Sequence, residues 1–486
     1  MKHLFLRYLF FVLSVCVPCV RAQSPDLNQL KGKLEQLEQM MNDLKQQIAA
    51  AENAQSAPAA PSAPLVAPAS QLSKVPTPLV PVEHMGDLTM RREAANQNAE
   101  SAPRINNEDM DPALRGFFRL PGTGTLIKFG GFIKTDVFVD TNQAGSYYGA
   151  YVPSSFPSSP QPHTVNATVS MRPSRFSAEF RQPVGSGDDS NDSVKGYFEF
   201  DFLSNYDRNS LRLRQFYAQY KNVLAGQAWT TFGDADAFPD TLEFEGPPGI
   251  ICSRQPMIRY TQAINKANSI AFAVEKTGTD TPFSTQYGSP VGSSTRPDMI
   301  GSYRYENQHG HLYFAAISRS VGGVIPNSTV PDLRNHAEAF GGSLSGVWGG
   351  SKNNMVFQAV IGKGISNYYN DNYGLGTDVG FDAHGHLVAT PTGSGEIGYQ
   401  HYWTKLLRST FSYAYLQINN TAGDPGNIYH ISHYATANLI VQPTTSFLFG
   451  AEYIYGSLER KDGFKWVAPR IQASVTYYLN KYPKEN

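Results

Sequence analysis

From about Gly116 to the end of the chain, apolar and polar residues alternate in short blocks. A period of two puts successive side chains on opposite faces of an extended strand. Ile127, Phe129, Ile133, Val137 and Val139 share one face of the first block, with Lys128, Lys134 and Asp136 on the other. Phe198, Phe200 and Phe202 alternate with Tyr197, Glu199 and Asp201. Ile471, Ala473, Val475, Tyr477 and Leu479 alternate with Arg470, Gln472 and Thr476. About sixteen such blocks follow one another, an even number of the kind that closed membrane barrels use.

Connection length separates a barrel from a soluble sandwich, which also alternates. Long connections at about 142–166, 232–255, 278–295, 320–333 and 364–392 take turns with tight ones. The tight ones fall near Lys221-Asn222, Asn265, Asn307-Gln308, Gly349-Gly350 and Pro443-Thr444. Long loops on one rim and short turns on the other are the habit of outer-membrane barrels, with the short turns in the periplasm. The expectation is an all-β fold, a 16-stranded antiparallel transmembrane β-barrel over 116–486, facing outer-membrane lipid.

The preceding residues divide into three parts. Residues 1–22 carry Lys2 and Arg7, an apolar run and then Val20-Arg21-Ala22, the order of a secretory signal peptide. Removing it takes Cys16 and Cys19 away and leaves Cys252 with no disulfide partner. Residues 23–52 hold Leu27, Leu30, Leu34, Leu37, Met41, Leu44 and Ile48 at spacings of 3, 4, 3, 4, 3 and 4, a strict a/d seam. Such a seam predicts an N-terminal coiled-coil helix and an oligomer, placed in the periplasm. Residues 53–115 are rich in Ala and Pro and read as an extended linker. A formal net charge of −1 gives no reason to expect a nucleic-acid partner. The 27 Tyr, 28 Phe and 42 Gly suit many strands and tight turns.

The stretch NVLAGQAWTTFGDADAFPDTLEFEGPPGIICSRQPMIRYTQ, 222–262, interrupts the sheet between the fifth and sixth strands. It holds Asp234, Asp236, Asp240, Glu243 and Glu245, far more chain than a hairpin needs. A barrel of this size encloses water, and a loop folded inward narrows it. Phe238, Phe244 and the Gly246-Pro247-Pro248-Gly249 corner are expected to rest on the wall, and the carboxylates to face the water.

Parity names the lumen. Phe176, Ala178 and Phe180 outward put Arg175, Glu179 and Arg181 inward; Ile258 and Tyr260 outward put Arg259 inward; Tyr303 and Tyr305 outward put Arg304 inward. Leu211 and Leu213 outward put Arg212 and Arg214 inward, but Phe216 and Tyr220 share the arginines' parity, so a bulge between them is expected. With Lys128, Lys134 and Arg470 these form a basic wall. About half of its arginines are expected to be neutralised by local carboxylates. Guanidinium groups take carboxylates in two-point contact, which points to small anionic solutes as partners.

GTLIKFGGFIKTDVFVD, RPSRFSAEF, GYFEFDF and LRLRQFYAQYKNVLAGQAWTTFGDADAFPDTLEFEGPPG resemble the DcaP-like outer-membrane porins. That resemblance implies a homotrimer of 16-stranded barrels, an N-terminal coiled coil, and an anion-preferring pore associated with dicarboxylic acids. The function expected is a porin for passive, anion-biased diffusion. The competing class is a structural or cell-wall-attaching barrel with a largely closed pore. His309-x-His311 and His384-x-His386 lie at turns or in loops with no ligand set at convincing spacing, so no metal and no cofactor are expected. Ser394 and His401 lack a third partner, so no enzyme is expected.

Overall fold

The computed structural model describes residues 116–479 apart from 146–149, 185–192, 204–209, 283–284, 286–287, 327–335 and 351. The expected signal peptide, coiled-coil seam and linker lie outside the described residues.

The wall is a closed antiparallel barrel of sixteen strands. In chain order they are β1 (Leu126–Asp140), β2 (Arg175–Pro183, preceded by a short piece at Asn166–Ser170), β3 (Ser193–Asp201) and β4 (Arg212–Tyr220). Next come β5 (Val223–Trp229), β6 (Arg254–Ala263), β7 (Asn268–Glu275) and β8 (Asp298–Asn307). Then follow β9 (Gly310–Val324), β10 (His336–Gly349), β11 (Asn353–Lys363) and β12 (Pro391–Tyr402). The last four are β13 (Leu407–Ile418), β14 (Tyr429–Thr444), β15 (Phe447–Arg460) and β16 (Arg470–Leu479). Each pairs with its neighbours in sequence, and β1 closes the ring on β16, with Ile133 opposite Tyr477. Closure leaves no edge, so the ladder satisfies the wall's backbone N–H and C=O groups without water. In hydrocarbon each group left unpaired costs several kcal/mol, roughly, which is why an open sheet is not a solution.

Alternation decides which side of the wall each residue takes. Ile258 is 63 % exposed and Arg259 only 5 %, and the same contrast recurs from Ile133/Lys134 to Ile471/Gln472. The conflict of parity in β4 is resolved by a bulge. Glu199 pairs with Gln215 and Phe200 with Leu213, so Arg214 is the extra residue. Arg214 and Gln215 are both buried, while Leu213 and Phe216 on either side are exposed.

Short turns join β4 to β5 at 221–222, β6 to β7 at 264–267, β8 to β9 at 308–309 and β10 to β11 at 350–352. Two more join β12 to β13 and β14 to β15. The five long connections read from sequence all leave from the other rim. Beyond the five read from sequence, 419–428 and 461–469 also lie there.

Candidate functional site

The segment 230–253, between β5 and β6, runs inside the barrel and is fastened to the wall along its length. At its start Glu275 of β7 accepts from Thr231 N and Thr230 Oγ1, each at 2.7 Å. Ser343 of β10 donates to Phe232 O at 2.8 Å. Further on, Asp240 takes Arg408 Nε of β13 at 2.5 Å and Gln400 Nε2 of β12 at 2.9 Å. Glu452 of β15 accepts from Leu242 N and Glu243 N at 2.8 and 3.0 Å, and Gln472 of β16 donates to Leu242 O at 3.1 Å. On the way back Ile251 N donates to Gln358 Oε1 of β11 at 2.5 Å, and Ser394 of β12 to Gly249 O at 2.7 Å. An irregular backbone survives here because protein groups satisfy it.

The loop's carboxylates do not face water, contrary to expectation. Asp234, Asp236, Asp240 and Glu243 are 1, 2, 3 and 0 % exposed. They are fasteners, because a loop packed on a wall must pair every polar group it buries. Asp234 accepts from its own Asp236 N at 3.2 Å, opening a short turn over Ala235–Ala237, and meets His311 Nε2 of β9 at 2.7 Å. Arg304 of β8 reaches Asp236 at 2.8 Å and Asp234 at 3.4 Å. Asp234, Asp236 and His311 converge closely enough for a cation, but the Arg304 guanidinium already supplies the positive charge. His311 lies in a strand and not in the turn that the sequence suggests. Glu245 alone stays half-buried, paired with Arg212 at 3.0 Å. At these pairs the acidic loop and the basic wall are in direct contact.

Where they touch, arginines and aromatic rings interleave. The Arg175 guanidinium carbon lies 5.2 Å from the Phe132 ring and 5.1 Å from that of Phe244, a loop residue. Arg214 lies 5.4 Å from Phe244 and 5.7 Å from Trp229, and Arg254 lies 4.8 Å from Trp229. The order is Phe132, Arg175, Phe244, Arg214, Trp229, Arg254. Each guanidinium over a ring face is attracted by the ring's quadrupole.

Most of the expected basic wall is locally neutralised. Arg212 pairs with Asp201 at 2.7 Å and Arg214 with Glu199 at 2.6 Å and Asp201 at 3.0 Å. Arg175 stands 3.7 Å from Glu199, Arg470 2.6 Å from Asp140, and Arg181 Nε 2.6 Å from Glu179. Lys134 closes on Asp136. Among the described residues Lys128 and Arg259 have no carboxylate at ion-pair distance; Lys128 sits 5.0 Å from the Phe117 ring. Arg259 donates only to Trp229 O, at 3.3 Å, and its Nη2 is buried without a partner.

Arg254 was not legible as a lumenal residue, since it shares the parity of Ile258. It stands opposite Trp229 at the end of β6, where it joins the stack on that ring and has no ion-pair partner among the described residues. Arg408 was also missed, as was Arg319 of β9, which binds Asp298 at 2.9 Å and Asp378 at 3.3 Å. Their partners lie more than 20 positions away in sequence or in another loop, beyond the reach of local pattern.

The connection 364–390, silent in sequence, backs the inward segment. Asn370 N donates to Ile250 O at 2.9 Å and its side chain to Glu245 O at 2.7 Å. Cys252 N donates to Tyr368 O at 3.2 Å. From the first long loop, Tyr151 N donates to Glu243 at 3.0 Å and Ser154 N to Asp371 at 2.9 Å. Burial, then the nearby Glu245, pushes the Glu243 carboxyl up to about 8, and burial pushes Asp371 up to about 7. The Cys252 thiol is pushed up to about 11 by burial, which keeps it protonated and unreactive.

A closed sixteen-stranded barrel with apolar residues outside, ion-paired residues inside and a segment folded into its lumen is an outer-membrane channel of the porin type. The chain belongs to the DcaP outer membrane protein family, whose model matches residues 109–477. Among solved structures, the outer membrane channel DcaP of Acinetobacter baumannii matches with a TM-score of 0.64 at 20 % identity, over 75 % of this chain and 100 % of that one. The anion-selective porin from Comamonas acidovorans matches with a TM-score of 0.45 at 9 % identity, over 73 % of this chain and 100 % of that one. OmpT of Vibrio cholerae matches with a TM-score of 0.46 at 10 % identity, over 74 % and 99 %. No curated protein matches the chain.

Proposed function

We propose that this channel passes small solutes passively with a bias towards anions, dicarboxylates among them. One observation carries the reading: the stack of arginines against the inward segment holds more positive than negative charge. Arg175, Arg212, Arg214 and Arg254 face Glu199, Asp201 and Glu245, so four guanidinium groups against three carboxylates leave one positive charge over. The excess sits on Arg254, half-buried and, among the described residues, held by an aromatic face and by no carboxylate.

Low-dielectric walls concentrate field lines in a narrow channel, so a single unbalanced charge raises the local concentration of anions. A guanidinium whose edge is not taken by a carboxylate of the protein can accept one from a solute in two-point contact. Neighbouring neutralised pairs keep that contact weak, which release requires. Charge, not shape, is the filter.

The chain is further proposed to work as a homotrimer gathered by the seam from Leu27 to Ile48, with 1–22 removed on export and 53–115 as the tether. Planar-bilayer recording of the full-length protein tests the selectivity. In a salt gradient the reversal potential should report anions, and dicarboxylate should enter faster than a neutral solute of similar size. Cation preference at low salt defeats the reading.

A further inference from the structure

The connection 364–390 ends in a two-stranded hairpin on the long-loop rim, Val379–Phe381 against Leu387–Ala389. Its base is fixed. Phe381 and Leu387 pair with each other and are buried against Val321 of β9 and Ala339 of β10. Phe381 O also accepts from Gly423 N of the next long connection at 2.8 Å. The tip is Asp382-Ala383-His384-Gly385-His386, with Ala383 and His384 exposed and Asp382 and His386 half-buried.

A three-residue hairpin loop is commonly a type I turn closed by a left-handed residue, with Asp suited to the first position. This tip follows that rule. Gly385 N donates to Asp382 O at 3.1 Å and Asp382 N to His386 O at 3.0 Å, and Gly385 has a φ of 80°. Asp382 Oδ1 accepts from His384 N at 2.8 Å and from His386 N at 2.9 Å. One carboxylate oxygen therefore orders the backbone of both histidines, while the other is turned towards the His386 ring.

That second oxygen, Oδ2, stands 3.3 Å from His386 Nδ1. A charge-assisted hydrogen bond draws in to about 2.7–2.9 Å. Two ligands on one tetrahedral zinc, each about 2.0–2.1 Å from it, stand about 3.3–3.4 Å apart. The observed spacing is the ligand spacing. The ring centroids of His384 and His386 lie 6.2 Å apart, where two imidazoles on one zinc need about 5 Å. Rotation of the exposed His384 side chain supplies the remaining shift of about 1 Å, and the turn need not move. The histidine pair lacks a third ligand as a bare motif; the turn provides one by folding Asp382 back across from His386.

We propose that Asp382, His384 and His386 form a surface site for one divalent transition-metal ion of the zinc class, with water completing its coordination. Two imidazoles and one carboxylate suit Zn2+, Ni2+ or Cu2+, whereas Mg2+ and Ca2+ prefer ligands that are all oxygen. The turn is ordered before the ion arrives, so binding costs little conformational freedom. The site is separate from the buried Asp234, Asp236 and His311, where Arg304 already supplies the positive charge. It rests on the fold of this hairpin and not on the ion preference of the pore.

The test is calorimetric titration of the full-length protein with Zn2+ in detergent, after treatment with a chelator. The wild type should take up one more zinc per chain than His384→Gln/His386→Gln, which keeps every other histidine and the buried acids. The single variants His384→Gln and His386→Gln should each bind at least tenfold more weakly, since losing even an outer partner of a ligand costs about 10–100-fold. Asp382→Asn keeps an oxygen for the two backbone N–H groups and gives up the charge, so it should weaken zinc while the turn persists. Excess Mg2+ or Ca2+ should leave wild-type binding unchanged. The β signal in circular dichroism should be the same in all four variants, because the tip lies outside the sixteen strands. Equal zinc uptake by the wild type and the double variant overturns the proposal. Wild-type affinity in either single histidine variant or in Asp382→Asn overturns it too, since it removes a ligand from the set. Displacement of zinc by Ca2+ does the same, by reducing the site to an acidic surface.

Discussion

Arg254 and Arg214 approach the same indole, with guanidinium carbons 4.8 and 5.7 Å from the Trp229 ring, but only Arg214 also holds carboxylates. The ring therefore separates a neutralised arginine from one that is not. The difference fixes which substitution should matter for ion preference.

Arg254→Ala should move the reversal potential towards cations and slow dicarboxylate entry. Arg470→Ala, which leaves Asp140 behind far from the stack, should disturb folding more than anion preference. Raising salt should shrink the Arg254 effect, because charges are screened within roughly 10 Å at 0.1 M. Bilayer recordings at two salt concentrations check both. Wild-type selectivity in Arg254→Ala at low salt would remove the charge argument.

Removing Ala235 to Glu245 should raise single-channel conductance and weaken selectivity, since Phe244 and Glu245 leave the arginine stack with it. The wall residues it frees, Arg304, Arg408 and Glu452, would then face lumenal water, so the barrel should still fold. Unchanged conductance would show that this segment does not narrow the path.

Asp240→Ala removes the carboxylate that the buried Arg408 pairs with at 2.5 Å. Breaking one side of a buried pair costs about 3–5 kcal/mol, less whatever water recovers by entering from the lumen. The visible outcome should be a lower melting temperature and added current noise from a loosened segment. The sign is the test: a quieter channel contradicts it.

Glu243 and Asp371 hold the first long loop through Tyr151 N and Ser154 N. Both carboxyls are raised in the folded protein, so the unfolded chain ionises first and binds fewer protons than the folded one. Stability then falls as pH rises. For Glu243 the loss runs from its ordinary 4.5 up to about 8, and for Asp371 from 3.8 up to about 7. Current fluctuations should therefore increase from pH 5 to pH 8, on the order of the range these values set, and Glu243→Gln should flatten the upper part of that rise. A channel that quietens over the same range counts against the latch.

Asp at Leu30, Leu37 and Leu44 should dissociate the proposed seam while the barrels remain folded. Circular dichroism and the oligomer mass in mild detergent report the two separately. Loss of the β signal would make 23–52 part of the barrel's own fold.

Much of the wall was legible in the amino-acid sequence, because a period of two is a local property and lipid punishes any break in it. Strand number, the alternation of loop lengths and the place of the inserted segment follow from that period. So does the bulge in β4, since Leu213 and Phe216 cannot both face lipid in an unbroken strand. The sequence could show that Arg175, Arg212 and Arg259 point inward, and could not show what they meet there. Asp240 finds Arg408 and Gln400 from across the lumen, and Glu452 finds Leu242 N, only because the ring closes and the loop lies on its inner face. Tertiary structure turned the loop's acids from a polar surface into fasteners, and left the arginine stack's unbalanced charge on Arg254, whose parity had pointed it at lipid. Periodicity fixes the side of a wall, whereas charge balance is a sum over groups that only the closed barrel brings together.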